Sequence, residues 1–205
     1  IVEVDVEERP TGSIGFGGSY STDSGFGANI SFNERNFLGR GQQLDFAFNT
    51  SSDTNRYTFA FAEPAFLGRN LKLGFALNYV ESDSDDTDFA TTNGVFRPFV
   101  EFPVSDNGRL QLRYTLDYTD LNVPEPPAAG VDDTVSGIIR YEAGLGERFD
   151  SSLGYTYNYD SRRTGLNPNA GVLLEFGQDI SGVGGDTNFV KTRVRAVAQT
   201  KVFNE

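Results

Sequence analysis

Two sets of side chains in this 205-residue sequence have the types and density to do chemistry. The first is Glu81 to Asp88, ESDSDDTD, with five carboxylates in eight residues. A calcium loop needs a fixed ligand order, a glycine at its tight turn and a closing glutamate. Asp88 is followed by Phe89 and neither feature is present, so the run reads as a solvated outer loop, with cation binding the weaker alternative. The second set is a group of strong bases, Arg97, Arg109, Arg113, Lys191, Arg193 and Arg195, with Asp45, Asp117 and Glu175 among them. These can pair as ions wherever the chain brings them together. Other chemistries are excluded by composition. With no His and no Cys there is no imidazole base, no thiolate nucleophile, no ordinary zinc site and no disulfide framework. No serine can find a histidine partner, so neither catalytic residues nor a metal or cofactor site are expected. The glycines at 12, 15, 17 and 18 do not make a nucleotide loop, because Tyr20 stands where the third glycine is needed and no helical pattern follows. A net charge of -12 argues against nucleic acid as a partner.

The elements that must position these groups are strands. In RYTFAFAEPAFLGRNLKLGFALNY, residues 56–79, Tyr57, Phe59 and Phe61 alternate with Arg56, Thr58, Ala60 and Ala62. After the turn residues of 63–70, Leu71, Leu73, Phe75, Leu77 and Tyr79 alternate with Lys72, Gly74, Ala76 and Asn78. This period of two puts an apolar and a small or polar face on each strand. The same pattern recurs along the chain. It is weak and glycine-rich at 13–20 and clear at 26–33, 44–49, 110–118, 153–160, 170–176 and 190–199. At 95–102 it is ambiguous, and Pro98 predicts a bulge or poor pairing there. Ten strands result, with residues 135–147 open to either a short strand or a helix.

No run approaches the roughly 18 apolar residues of a membrane helix, and the acidic alternation of Ile1 to Val6 is no signal sequence. The chain is therefore expected to be mature, or a piece of a longer protein. Compact connections are expected at 34–41, 63–70, 103–108 and 161–168, and long polar ones at 81–92 and 120–148. Such sorting describes an up-and-down membrane barrel with the long loops outside. Phe37-Leu38-Gly39-Arg40 recurs as Phe66-Leu67-Gly68-Arg69, 29 positions on (37 to 66), one hairpin later. The bases of the polar face settle its direction. Each Arg or Lys would cost roughly 2–4 kcal/mol at the bilayer midplane and little in a wet lumen, so the aromatic faces take the lipid. A soluble sandwich with its bases in solvent is the alternative fold.

Residues 6–25, VEERPTGSIGFGGSYSTDSG, resemble the join between the last periplasmic POTRA domain and the first barrel strand in the BamA family of outer-membrane barrel assembly proteins. Asn33 to Gly41, NERNFLGRG, is similar to that family's first periplasmic turn, and Asp160-Ser161-Arg162-Arg163 also resembles a family element. The resemblance implies an all-β, antiparallel transmembrane barrel of sixteen strands, about ten of them here. It divides the chain into the last strand of a POTRA-like domain (1–8), a linker (9–12) and a partial barrel (13–205). The family's Arg-Gly-Phe-type lumen loop is not in this sequence. The implied function is assembly of outer-membrane proteins in a Gram-negative bacterium. Client strands would pair with a labile gate strand, Ser13, Ile14, Gly15, Phe16, Gly17, Gly18, Ser19 and Tyr20. The implied partners are the outer-membrane lipid bilayer, nascent β-barrel clients, accessory lipoproteins and periplasmic chaperones. A passive porin, or a related barrel that secretes protein, are the rival readings.

Overall fold

The computed structural model describes residues 7, 9–22, 25–83, 88–128, 132–162 and 170–200. All ten expected strands form: β1 (Gly12–Ser21), β2 (Gly25–Phe37), β3 (Gln42–Thr50), β4 (Thr54–Glu63), β5 (Lys72–Asp83), β6 (Ala90–Pro103), β7 (Gly108–Asn122), β8 (Arg148–Asp160), β9 (Gly171–Ser181) and β10 (Val190–Gln199). They make one sheet in sequence order, every neighbouring pair antiparallel. The sheet is open, with β1 and β10 as its edges. This is an up-and-down barrel wall covering part of a circumference.

The register sorts the side chains by face. Ile14, Phe32, Phe46, Phe59, Leu77, Phe96 and Leu116 face one another from strand to strand. On the other face the corresponding row is Ser31, Ala47, Thr58, Asn78, Val95, Asp117 and Asp150. Phe75 sits among Phe59, Phe61 and Phe96 with ring centroids 5.7, 6.3 and 5.9 Å away, all tilted. Among the described residues no second layer covers this apolar face. Among the described residues only Ala62, Val135 and Leu173 are buried hydrophobics, while Phe16 is 77% and Leu153 51% exposed. A sandwich would bury that face against a second sheet. Hydrocarbon is the solvent that suits it, as on a membrane barrel.

Two irregularities interrupt the ladders. A register shift between Glu34 and Phe37 places a bulge at the end of β2. At Pro98 the outcome is poor pairing without a bulge: the β6–β7 ladder skips Arg97 and Pro98 and resumes at Phe99 in unchanged register.

The loops are sorted less strictly than the sequence suggests. The long connection expected at 81–92 contracts to 84–89, because β5 runs to Asp83 and β6 starts at Ala90. Glu81, Ser82, Thr91 and Thr92 continue the ladder as polar residues, since a strand that has left the apolar band has no need of alternation. At that same end the connections 22–24 and 51–53 are as compact as any turn at the other. The connection 123–147 is much the longest at this end, ahead of the eight-residue 182–189. It holds α1 (Gly137–Gly144), capped by Ser136, whose hydroxyl accepts the N–H of Ile139 at 3.4 Å. Arg140 clamps this loop, with its guanidinium on the Asp133 carboxylate and on the Pro124 carbonyl at 2.8 Å. The Arg140 hydrogen bond holds the Asp133 carboxyl below its ordinary range. Three expectations fall outside the described residues: the preceding strand (1–6 and 8), the centre of the acidic run (84–87), and 163–168 of the expected 161–168 turn with Arg163.

Candidate functional site: the free edge of β1 and the charged wall

Among the described residues β1 pairs with β2 alone, over its whole length, from Gly12 opposite Glu34 to Ser21 opposite Gly25. The eight residues singled out in the sequence all lie on this edge strand. Ser13, Gly15, Gly17 and Ser19 stand opposite Asn33, Ser31, Asn29 and Gly27 on the polar face. Ile14, Phe16, Gly18 and Tyr20 are on the apolar face, opposite Phe32, Ile30, Ala28 and Phe26. Tyr20 and Phe26 are in ring contact at 4.8 Å, the one aromatic pair recorded between β1 and β2 among the described residues. Small side chains give β1 few packing contacts, so it is held mainly by its backbone ladder. A strand held that way is the easiest in a sheet to exchange for another.

The polar wall has two halves. From β1 to β5 it is lined chiefly by small uncharged groups, among them Gly15, Ser31, Ala47, Thr58, Ala60, Ala76 and Asn78. From β6 to β10 it is dense with charge. Arg97, Arg109, Arg113, Asp117, Glu175, Lys191, Arg193 and Arg195 are all on this face, as expected, and Asp45 joins them on β3. Arg109 pairs with Glu101 at 2.6 Å. Arg113 is almost fully enclosed and reaches across β8 to β9. Its Nε donates to Asp179 Oδ1 at 2.8 Å and Nη1 donates to Thr156 Oγ1 at 2.6 Å, while Nη2 lies 2.6 Å from Asp179 Oδ1 off the hydrogen-bond line. The strand it crosses carries Gly154 at the crossing point. A Cβ there would strike both the Asp179 carboxylate and the Arg113 guanidinium, so only glycine leaves the passage open.

Arg97 donates to Thr115 Oγ1 at 3.2 Å. With Arg113 and Arg193 it lines two neighbouring cavities on this wall, of about 190 and 530 Å³. Asp179 was missed in the sequence because the ninth run breaks at Gly177-Gln178: Gln178 occupies an outward position where an apolar residue would have kept the alternation. Its amide is accommodated by Tyr155, which donates to it at 2.8 Å, and by Thr192, which accepts from it at 3.1 Å. Among the described residues no group of acidic side chains has the arrangement of a metal site.

A single antiparallel meander with an uncovered apolar face, a polar ion-paired face and one weakly packed edge defines a membrane β-barrel protein of the outer-membrane type. Residues 36–205 match the Omp85 superfamily domain. The chain belongs to the Omp85 superfamily. It is 25% identical over 212 residues to the outer membrane protein assembly factor BamA of Neorickettsia risticii, covering 100% of this chain and 27% of that protein. It is 26% identical to the sorting and assembly machinery component 50 homolog of Xenopus tropicalis, over 76% of this chain and 31% of that protein. The chain thus spans about a quarter to a third of these relatives' length. Its fold is similar to the crystal structure of BamA from Haemophilus ducreyi lacking POTRA domains 1–3, with a TM-score of 0.60 and 22% identity over 91% of this chain and 37% of that one.

Proposed function

We propose that the protein containing this chain resides in the outer membrane of a Gram-negative bacterium and inserts client β-barrels there through a lateral opening at β1. The observation that carries this reading is how weakly β1 is built. Ser13 to Tyr20 include three glycines and two serines, so the strand is held mainly by its backbone ladder to β2. Once its other edge is freed, any extended chain can add to it. A client strand would do so by β-augmentation, through backbone N–H and C=O groups that make no demand on its side chains. One ladder is exchanged for another without a covalent step, so no catalytic residue is required. The wall next to β1 is chiefly small and uncharged, so few charges would have to be stripped of water as a client moves in. Two of the relatives named above, an outer-membrane assembly factor and a component of a sorting and assembly machinery, support the same direction.

In this reading the connection 123–147 faces outward and the turns 38–41, 64–71 and 104–107 face the periplasm. Periplasmic chaperones deliver clients to that side, where accessory lipoproteins also dock. The decisive experiment is a cysteine pair tying β1 to the closing strand of the full-length protein, reconstituted in liposomes with a client barrel. The 205 residues contain no cysteine to interfere. Insertion should stop when the pair is oxidised and return on reduction. Undiminished insertion through a fully locked seam would refute the lateral opening while leaving the barrel in place.

A further inference from the structure

Two connections at the same rim share a motif and its backbone geometry. Glu34-Arg35-Asn36-Phe37-Leu38-Gly39-Arg40 and Glu63-Pro64-Ala65-Phe66-Leu67-Gly68-Arg69 occupy equivalent places at the ends of β2 and β4, and three hydrogen bonds repeat between them. Each glutamate accepts the backbone N–H two residues on, Asn36 at 2.7 Å and Ala65 at 3.1 Å. Gly39 and Gly68 donate to the carbonyls of Asn36 and Ala65 at 2.9 and 2.8 Å, and Arg40 and Arg69 donate to those of Phe37 and Phe66 at 3.2 and 3.1 Å. Leu38 and Leu67 have φ of 55° and 56°. In turns with two left-handed residues the first is normally Asn, Asp or Gly. A leucine there is strained. Packing does not compensate for the strain, because the two side chains are 73% and 77% exposed. The chain twice keeps a bulky apolar group at a place where a small polar one would fit the backbone better.

The level of these tips indicates what they meet. β3 and β4, which they flank, have nine and ten residues. A ten-residue strand at a tilt of about 40° climbs roughly 25 Å, the height of the apolar band of an outer-membrane barrel. The tips therefore stand where hydrocarbon gives way to headgroups. The lipid-facing surface leads into them through Leu44, Phe61 and Leu73. Arg35, Arg40 and Arg69 are exposed beside the leucines; Glu34 and Glu63 each accept a backbone N–H, and Glu63 also accepts from the Gln42 amide and is within electrostatic reach of Arg40. The next turn at this rim, Val104-Ser105-Asp106-Asn107, has neither leucine nor arginine.

We propose that Leu38 with Arg40 and Leu67 with Arg69 form a paired anchor to the phospholipid leaflet at this rim, the leucines entering the boundary between headgroups and acyl chains and the arginines binding lipid phosphates. The anchor rests on the membrane-barrel reading above. It fixes the depth of the hairpins nearest the β1 edge, so that loss of a partner by β1 does not let that side of the wall slide.

The test uses full-length protein in phosphatidylglycerol-containing vesicles, in a background otherwise free of cysteine. Single cysteines at Leu38, Leu67 and the lipid-facing Leu77 carry an environment-sensitive fluorophore. Labels at 38 and 67 should be blue-shifted, quenched by nitroxide on lipid headgroups and shielded from aqueous iodide. Quenching by iodide at 38 and 67, with the 77 label still in lipid, overturns the anchor alone. Shielding from both quenchers also overturns it, because the tips would then be covered by protein. A label at 77 that lipid nitroxide does not reach overturns the membrane reading, and the anchor with it.

Discussion

Phe75 gives the sharpest quantitative check on which face of the sheet meets lipid. It is outward on β5, between Phe61 on β4 and Pro98 on β6, and its ring touches Phe59, Phe61 and Phe96. Truncation to alanine loses three tilted ring contacts, each worth about 0.5–1.5 kcal/mol, so Phe75→Ala should cost about 2–4 kcal/mol. Phe75→Arg loses the same contacts and also places a guanidinium in the apolar band, a further 2–4 kcal/mol or so near the midplane. Asn78, three residues on, lies on the polar face and accepts a hydrogen bond from Thr58 at 3.2 Å. Asn78→Ala removes about 1 kcal/mol of hydrogen bonding, and Asn78→Arg should cost no more, since the guanidinium remains in water. The quantity to measure is the Arg-minus-Ala difference at each position, from denaturant titrations of full-length protein in vesicles. Subtraction removes the lost contacts and leaves the solvent of the face. A difference at 75 no larger than that at 78 would refute the assignment of faces.

Further expectations follow from the other contacts. Gly154→Ala should destabilise the fold about as much as Asp179→Asn, roughly 3–5 kcal/mol each for loss of an enclosed charge pair, and the double variant should cost little more than either alone; full additivity would show that Gly154 does not serve the Arg113–Asp179 crossing. The Asp133–Arg140 clamp depends on an ionised carboxylate whose folded pKa is depressed, so its contribution is present above the unfolded value of about 4 and is lost as pH falls below it. Limited proteolysis of the 123–147 loop should therefore increase below about pH 4 in the native sequence and show no such step in Asp133→Asn. In whole cells, a cysteine at Glu125 should react with an impermeant reagent and one at Asp106 should not; the reverse pattern would invert the orientation.

Strand positions were legible in the sequence because a single-layer sheet between lipid and a wet interior writes its two environments on alternate residues. Where either environment changes, the pattern fades. β5 and β6 extend past the apolar band through Glu81–Asp83 and Ala90–Thr92 as polar strand, which a period-two reading takes for loop. Gln178 breaks the alternation of β9 while keeping its outward place, and so hid Asp179. The bases of the charged wall were legible as a face, but their pairings were not, because Arg113 finds its partner two strands away over a glycine. Ser13 to Tyr20 could be placed on one weak strand from their glycines. That the strands pair in strict chain order is a fact of topology, which side-chain periodicity does not encode.

The duplicated turn also bears on how such a wall changes size over evolutionary time. The interval from Phe37 to Phe66 contains one downward and one upward strand, and it begins and ends at the same rim with the same backbone geometry. Copying or deleting such a unit leaves the inside and outside of every other strand as they were, because two strands restore both direction and face. A single-strand insertion would reverse the direction of every later strand and exchange its loops between the two sides of the membrane. Gene duplication can therefore widen or narrow a sheet of this kind only in steps of two strands. The matching φ angles of Leu38 and Leu67 are what one such step would leave behind.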